Sequence, residues 1–260
     1  MVQLQENQFY KISHFLPQIN CDVVYGYSII EKRQKGRVFV DDAENPRSMI
    51  LWHFCGFAFV AGYAENEDFN KCLMQLLSGK FGESQRDFIL FVNNRDWNRI
   101  LVETKRFNIQ VAERLRFRFN NNLLSKKKIA IPVGYHVEEM DENIINRLSG
   151  HIVPSYSWHT DEAFLHNGKG YCLMEGNNIA SNAFSASIGN NSIDIGIETM
   201  HDYRMRGLAA PTAYVMVKYC LDNGFEPVWG CSATNIGSCR VAKSIGFEVV
   251  DSYPMYIYRK

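Results

Sequence analysis

The chain has 260 residues, enough for two domains of about 100–150 residues each. Hydrophobic residues make up 46% and charged residues 22%, a globular composition that excludes a disordered chain, a collagen or a low-complexity array. Lys+Arg and Asp+Glu both total 28, so attraction of the whole molecule to nucleic acid is not expected; yet residues 1–130 carry 19 basic and 14 acidic side chains (+5) and residues 131–260 carry 9 and 14 (−5). An acidic second half suits a cationic substrate better than an anionic one.

Residues 37–42 (RVFVDD) are β-branched and aromatic and end in the turn-forming DDAENP, so a strand is predicted. Residues 48–60 read as a second strand or a pair of strands, with Gly56 marking a bulge or the close approach of another backbone. Phe69, Cys72, Leu73, Leu76 and Leu77 fall at helical spacing, which predicts a helix over 67–77 ending before Gly79. A buried strand at 88–92, a short helix at 95–104 and an extended stretch at 107–119 follow. This alternation argues for an α/β fold around a central sheet. The polar NNNLLSKKK of 120–128 is the best boundary, giving an N-terminal domain 1–125 and a second domain 134–260. Lys126, Lys127 and Lys128 fit a solvated face.

The second half opens with a strand at 135–139, after which Asp141 caps a helix carrying Ile144, Ile145 and Leu148 and stopped by Gly150. An irregular stretch with Pro154 and Trp158 leads to strands at 171–174, 179–188 and 192–199, joined by GNN turns into an antiparallel meander. A helix at 208–221 tolerates Pro211 in its first turn, a strand covers 227–231, a helix covers 236–245, and a hairpin is predicted over 247–258. The seven cysteines lack any C-x-x-C pair, and the polar start MVQLQENQFYKIS lacks the regions of a signal peptide; free thiols in a cytoplasmic protein are expected. The longest mainly apolar run, 49–64, is interrupted by His53, Gly56 and Gly62 and is too short to span a bilayer. No His or Cys falls at zinc-ligand spacing, so no metal is expected.

The informative segment is 193–247. A strand (IDIGIET) runs into HDYRMRGLAA, so Arg204, Gly207 and Ala209 form R-x-x-G-x-A at a strand-to-helix junction. The first N–H groups of a helix have no internal partners and lie at the positive end of its dipole, and small residues there let a diphosphate rest on the amides. About 25 residues on, the strand PVWGC is followed by N-x-x-S-x-x-V-A-x-x-x-G-F from Asn235. Strand, R-x-x-G-x-A, helix, strand, N-x-x-S, helix and GF in this order resemble the GCN5-related N-acetyltransferases (GNAT) over residues 134–260. The wording IGIET, YRMRGLA and PVW, with GRVFVDDAENPRS and FAFVAGYAENEDFN in the first half, is similar to one bacterial branch. That branch has an extra N-terminal domain and includes a self-resistance enzyme that acetylates an aminopolyol antibiotic.

The resemblance implies a mixed, mostly antiparallel central sheet flanked by helices, with an N-terminal α/β domain. It implies acetyl-CoA as co-substrate, with its pyrophosphate on the amides of Met205, Arg206, Gly207, Leu208 and Ala209 beside Arg204. The pantetheine arm would lie along the strand ending at Thr199, with Asn235 and Ser238 at the start of the next helix. An amine of a small molecule then attacks the thioester directly, and nucleic acid and membrane are not expected as partners. Glu198 is the first candidate base, because burial in an apolar strand would raise its pKa towards neutrality; Asp194, on the same face, is held in reserve. The tyrosine that many family members carry seven residues after the helix-opening Asn is replaced by Ala242. Tyr253, Tyr256 or Tyr258 substitutes for it, or the thiolate leaves unprotonated. Trp158 and His159 lie where such enzymes cover the acceptor, and substrate contact and packing both fit them. Cys231 and His53 fit structural positions. Two readings of function stand: an N-acetyltransferase, or a module that binds acetyl-CoA without turnover. The first half repeats the strand–helix order of the second without R-x-x-G-x-A, so a degenerate acyltransferase-like half and an unrelated α/β domain both fit. A shared strand order would favour the former.

Overall fold

The computed structural model describes residues 1–78, 87–103, 109–126 and 128–259. It divides into two compact units, Met1–Arg114 with Ser252–Lys260, and Leu115–Asp251.

Unit 1 begins with β1 (Val2–Gln3), a 3₁₀ helix (Glu6–Gln18) and α1 (Val24–Ile30), none of which the sequence pattern had marked. Then come β2 (Gly36–Val40), β3 (Ser48–His53), β4 (Phe57–Gly62), α2 (Glu67–Leu77), β5 (Phe88–Val92) and α3 (Arg95–Glu103). β2 stops at Val40, two residues short of the expected end, because Asp41 and Asp42 turn to the loop: Asp41 accepts from Arg47 N and Ser48 N, and Asp42 from Glu44 N and Asn45 N. The 48–60 stretch is a hairpin of two strands, with Gly56 in its turn rather than in a bulge. β2, β3 and β4 pair antiparallel, and β5 joins β4 in parallel after the α2 crossover. Phe69, Leu73, Leu76 and Leu77 of α2 and Trp97 and Leu101 of α3 are buried with Ile50 and Val60 of the sheet. These are the apolar positions that helical spacing picks out.

Unit 2 takes the end of β6 (Ile109–Phe119), a short α4 (Asn121–Leu124), β7 (Tyr135–Glu139), α5 (Glu142–Ile145), a 3₁₀ turn (Pro154–Tyr156) and α6 (Asp161–Asn167). β8 (Gly170–Glu175), β9 (Asn178–Gly189) and β10 (Ser192–Thr199) follow, then α7 (Ala209–Asp222), β11 (Glu226–Ser232), α8 (Ile236–Ser244) and β12 (Phe247–Tyr258). Each early helix starts at a side-chain cap: Asn120 accepts from Asn122 N, Asp141 from Ile144 N and Thr160 from Ala163 N. The 120–128 stretch is therefore partly helical; Lys127 lies outside the described residues. β8 to β10 form the expected antiparallel meander, β7 adds to it antiparallel beside β8, and α7 carries the chain over to β11, parallel to β10.

The predicted hairpin at 247–258 is one continuous strand. Asp251, Ser252 and Pro254 are turn formers, but β12 stays extended, pairing through Tyr256, Ile257 and Tyr258 with β5. Beside β5 in unit 1 therefore stands the end of β12, while beside β11 in unit 2 stands the end of β6. The sequence places the division at 125/134; the compact units divide inside these two strands. No helix among the described residues is long and apolar enough to cross a membrane, and all seven cysteines are free thiols.

Candidate functional site

β10 is bonded to β9 along its whole length, from Ser192↔Gly189 to Thr199↔Ser181. On its other side it pairs with β11 only at Ser192↔Glu226, Ile193↔Pro227 and Asp194↔Val228, although β11 continues to Ser232. Beyond Asp194 the two parallel strands part. The register of β10 on β9 shifts at the same place, between Asp194 and Ile195, where Ala186 is the additional residue of β9. A bulge increases local twist and bends a strand, which here turns β10 away from β11. The main-chain groups of residues 195–199 that point away from β9 face this opening.

At the mouth of the gap, a 3₁₀ turn (His201–Tyr203) leads to Met205 at φ +63° and Gly207 at φ +76°, and α7 starts at Ala209. A Cβ on Gly207 would meet nothing within 4 Å, so it is the backbone conformation that calls for glycine. Leu208 at the N-cap gives no side-chain bond, and its side chain is buried against Leu173 and Ala180. The helix start is thus fixed from below and open above. Tyr203 donates its hydroxyl to Glu175 Oε2 (3.1 Å), and the Arg206 guanidinium lies 5.0 Å over its ring. Arg204 Nε donates to the carbonyl of Thr199 (3.2 Å), and its Nη2 stands 3.6 Å from Glu198 Oε1.

Glu198 is largely buried, as expected, with 12% of its side chain exposed. Its Oε2 accepts from the backbone N–H of His151 (2.8 Å) and Ile152 (2.6 Å). Hydrogen bonds to an ionised acceptor are the stronger kind. Gly150, at φ +124°, lies against the carboxylate: a Cβ there would stand 2.6 Å from Oε2 and 2.8 Å from Cδ. Glu198 therefore ties the end of β10 to the 150–152 turn. Asp194, 8% exposed, is the last residue of β10 paired with β11 and sits where the gap begins. Thr199 Oγ1 meets Ser181 Oγ at 3.1 Å on the opposite face of the strand.

Asn235 caps α8, its Oδ1 accepting from Ser238 N (3.0 Å), and the Ser238 hydroxyl accepts from the buried Trp229 indole N–H (3.0 Å). Trp158 is buried, donates to Ser185 O (2.8 Å) and meets Phe164 edge-on, whereas His159 is exposed. Ala242 is fully buried. Tyr253, Tyr256 and Tyr258 belong to unit 1. Burial is the main cause holding the Tyr253 phenol protonated, and its hydroxyl donates to Asp22. Cys231 is buried, and His53 is a core residue whose Nδ1 accepts from Cys55 N (3.1 Å). Among the described residues no cluster of three His, Cys, Asp or Glu could hold a metal.

Three residues of this region carry weak sequence signals. Gly150 reads only as a helix stop, Tyr203 as one more aromatic, and Asn182 as a polar residue in a Ser-rich strand. Asn182 pairs directly with Glu198 and Cys172, is fully buried, and among the described residues neither its Oδ1 nor its Nδ2 has a hydrogen-bond partner.

The pattern of the GNAT acetyltransferase family matches residues 14–256. YdfB of Bacillus subtilis (strain 168), described as an uncharacterized N-acetyltransferase, is 28% identical over 232 residues, 88% of each chain. A GCN5-related N-acetyltransferase-like protein from Streptococcus suis 89/1591 shares the fold with a TM-score of 0.76 at 23% identity, over 97% of this chain and 99% of its own. A tandem GNAT protein from the clavulanic acid biosynthesis pathway gives a TM-score of 0.65 at 10% identity over 98% and 97% of the two chains. The matched length takes in most of unit 1 and all of unit 2, and the splayed strands with the R-x-x-G-x-A turn lie in unit 2. The chain belongs to the GNAT acetyltransferase family and is an acyltransferase of that type.

Proposed function

We propose that this acyltransferase moves an acetyl group from acetyl-CoA to the primary amine of a small molecule by direct attack, with Glu198 taking the amine proton. The observation that carries the reading is the parting of β10 from β11 after Asp194, with the Arg204–Ala209 turn at its mouth. A diphosphate fits a helix start with an open Gly207 and two guanidinium groups nearby. The free edge of 195–199 offers main-chain groups to the pantetheine amides, and N–H groups near Glu198 and Thr199 can stabilise charge on the thioester oxygen.

Within this frame Glu198 has two oxygens with separate work. Oε2 is occupied by two backbone amides, so the proton goes to Oε1, the oxygen 3.6 Å from Arg204 Nη2. Asp194 remains the reserve, further up the same face. Asn235 acts by shaping the α8 start rather than through its own free amide, since its Oδ1 caps the helix. No acid is assigned at Ala242; the CoA thiolate leaves as such and is protonated by solvent. Binding without turnover has no observation in its favour.

Calorimetry with CoA and thiol release from acetyl-CoA, with and without a panel of primary amines, test the proposal. Tight binding and amine-stimulated release are expected, with Glu198→Gln lowering kcat by about 10²–10⁴-fold. Release stimulated equally in Glu198→Gln would remove the base assignment, and absence of CoA binding would remove the reading of the cleft.

A further inference from the structure

Two arginines stand on the turn before α7, and their surroundings differ. Arg204 is tied to the strand it follows: its Nε donates to Thr199 O (3.2 Å) and its Nη2 stands 3.6 Å from Glu198 Oε1. Its charge already serves a largely buried carboxylate. Arg206 has no carboxylate within 4 Å among the described residues. Its guanidinium instead lies 5.0 Å from the centre of the Tyr203 ring.

That ring is itself held in place. Tyr203 is half-buried and packs against the cluster of Leu173, Ala180 and Leu208, and Leu208 is the residue from which α7 starts. Its hydroxyl donates to Glu175 Oε2 (3.1 Å) at the end of β8. Partial burial of the phenol, and then the bond to Glu175, raise its pKa above the ordinary value, so the proton stays on the donor. The ring can move relative to the helix start only by breaking the Glu175 bond or uncovering the cluster. A guanidinium stacked on such a surface is placed before a ligand arrives, and its edge N–H groups stay open. Arg206 is exposed, and the space above the neighbouring Gly207 is empty for 4 Å around an added Cβ.

We infer that Tyr203 is a positioning residue which, braced by Glu175, holds Arg206 as the cation that meets the diphosphate of CoA, while Arg204 ties the turn to Glu198. The inference rests on the proposed reading of the cleft and adds a division of labour between the two arginines. The R-x-x-G-x-A pattern singles out Arg204; the geometry gives the phosphate contact to Arg206. To meet a phosphate, Arg204 must give up part of its attraction to Glu198 and its bond to Thr199 O. Arg206 keeps its ring contact while its N–H edge bonds the ligand, because stacking uses the face of the guanidinium and hydrogen bonding its rim. A side chain ordered in advance also loses less freedom on binding.

The test uses the full chain and calorimetry with CoA, 3′-dephospho-CoA and pantetheine, which carries no phosphate. Arg206→Gln should weaken CoA binding by about 10–100-fold, the loss of one charge-assisted pair, and by at least about fivefold more than Arg204→Gln. The same loss is expected with dephospho-CoA, and pantetheine affinity should stay within about twofold. Tyr203→Ala should weaken CoA binding by about fivefold, and Tyr203→Phe, which keeps the ring and loses the Glu175 bond, by less. In the Arg206→Gln background neither should add more than about twofold, since Tyr203 acts through Arg206. If Tyr203→Ala does not fold, Tyr203→Phe and Glu175→Ala carry the same cycle. Additive losses, an equal or larger effect of Arg204→Gln, or a loss shared by pantetheine would each overturn the inference. So would an Arg206→Gln penalty absent with dephospho-CoA, which would give that side chain to the 3′-phosphate instead. Absence of CoA binding by the wild type would remove the reading of the cleft beneath it.

Discussion

Gly150→Ala is the sharpest perturbation that unit 2 offers. Gly150 sits at φ +124°, and a Cβ added there would lie 2.6 Å from Glu198 Oε2, 2.8 Å from Cδ and 3.0 Å from Oε1. Two costs follow. An L-residue held in that backbone region is strained by roughly 1–3 kcal/mol. The carboxylate must also move, which breaks its bonds to His151 N and Ile152 N. Bonds to a charged acceptor are worth about 1.5–3 kcal/mol each, and water recovers part of that at the exposed His151. The substitution should therefore cost about 4 kcal/mol in urea denaturation. A double-mutant cycle separates the two costs. Glu198→Ala alone loses the bonds, about 2 kcal/mol, and in its background Gly150→Ala keeps only the strain. A coupling energy of about 2 kcal/mol is expected. Additivity within about 0.5 kcal/mol, or a Gly150→Ala cost below about 1 kcal/mol, would refute the claim that the turn is held by this carboxylate.

Other outcomes follow from the same geometry. Asn235→Ala should lower stability by about 1 kcal/mol through the lost α8 cap, with only a small change in CoA affinity by calorimetry. Ser238→Ala leaves the buried Trp229 N–H unpaired and should cost about 1–3 kcal/mol, with a shift in tryptophan emission. Gly207→Ala meets no neighbour but stands at φ +76°, so it should cost about 1–2 kcal/mol and weaken CoA binding. Burial raises the Cys172 and Cys220 thiols from 9.0 to about 12. A raised pKa favours the folded state fully below the unfolded value, and that stability is lost as pH rises through the folded one. Urea midpoints should hold up to about pH 9 and fall towards pH 12, each thiol contributing about 1.4 kcal/mol per pH unit in that window. Cys220→Ala should flatten the fall, and an unchanged slope would count against it.

The parts legible in the sequence were those whose cause is local. Helix α2 and strand β5 have the predicted bounds because apolar spacing and capping decide them. The R-x-x-G-x-A turn was legible because its positive φ and missing side chains are written in the residues themselves. The 3₁₀ helix at the N-terminus was missed although Phe9, Ile12 and Leu16 are buried at helical spacing, since Pro17 and a capping box built from Gln5 and Gln8, rather than from the usual Ser, Thr, Asp or Asn, mask the pattern. What β12 does after Ser252 depends on a partner strand far away in sequence, so turn formers misled. The role of Glu198 is similar: strand alternation gives its face, but the amides that bond it come from a turn nearly fifty residues earlier.

The two units share one order of construction. In unit 1 an antiparallel β2–β3–β4 meander passes through α2 to a parallel β5, and in unit 2 the β7–β10 meander passes through α7 to a parallel β11. The two crossovers differ in ways that bear on ligand binding. β5 stays paired with β4 from Phe57↔Ile89 to Val60↔Val92, so no gap opens. The start of α2 is closed by Asn66, whose side chain takes the Phe69 N–H, and Glu67 and Asp68 place negative charge on the first turn. A diphosphate there would meet two carboxylates and a filled cap, whereas α7 starts without a capping side chain and beside Arg204 and Arg206. Calorimetric titration should therefore find one CoA site per chain, lost when Arg204 and Arg206 are both changed to Glu and retained when Glu67 and Asp68 are changed to Ala. Two sites, or a site that survives the double charge reversal, would mean that the helix start of α7 is not what selects the cofactor.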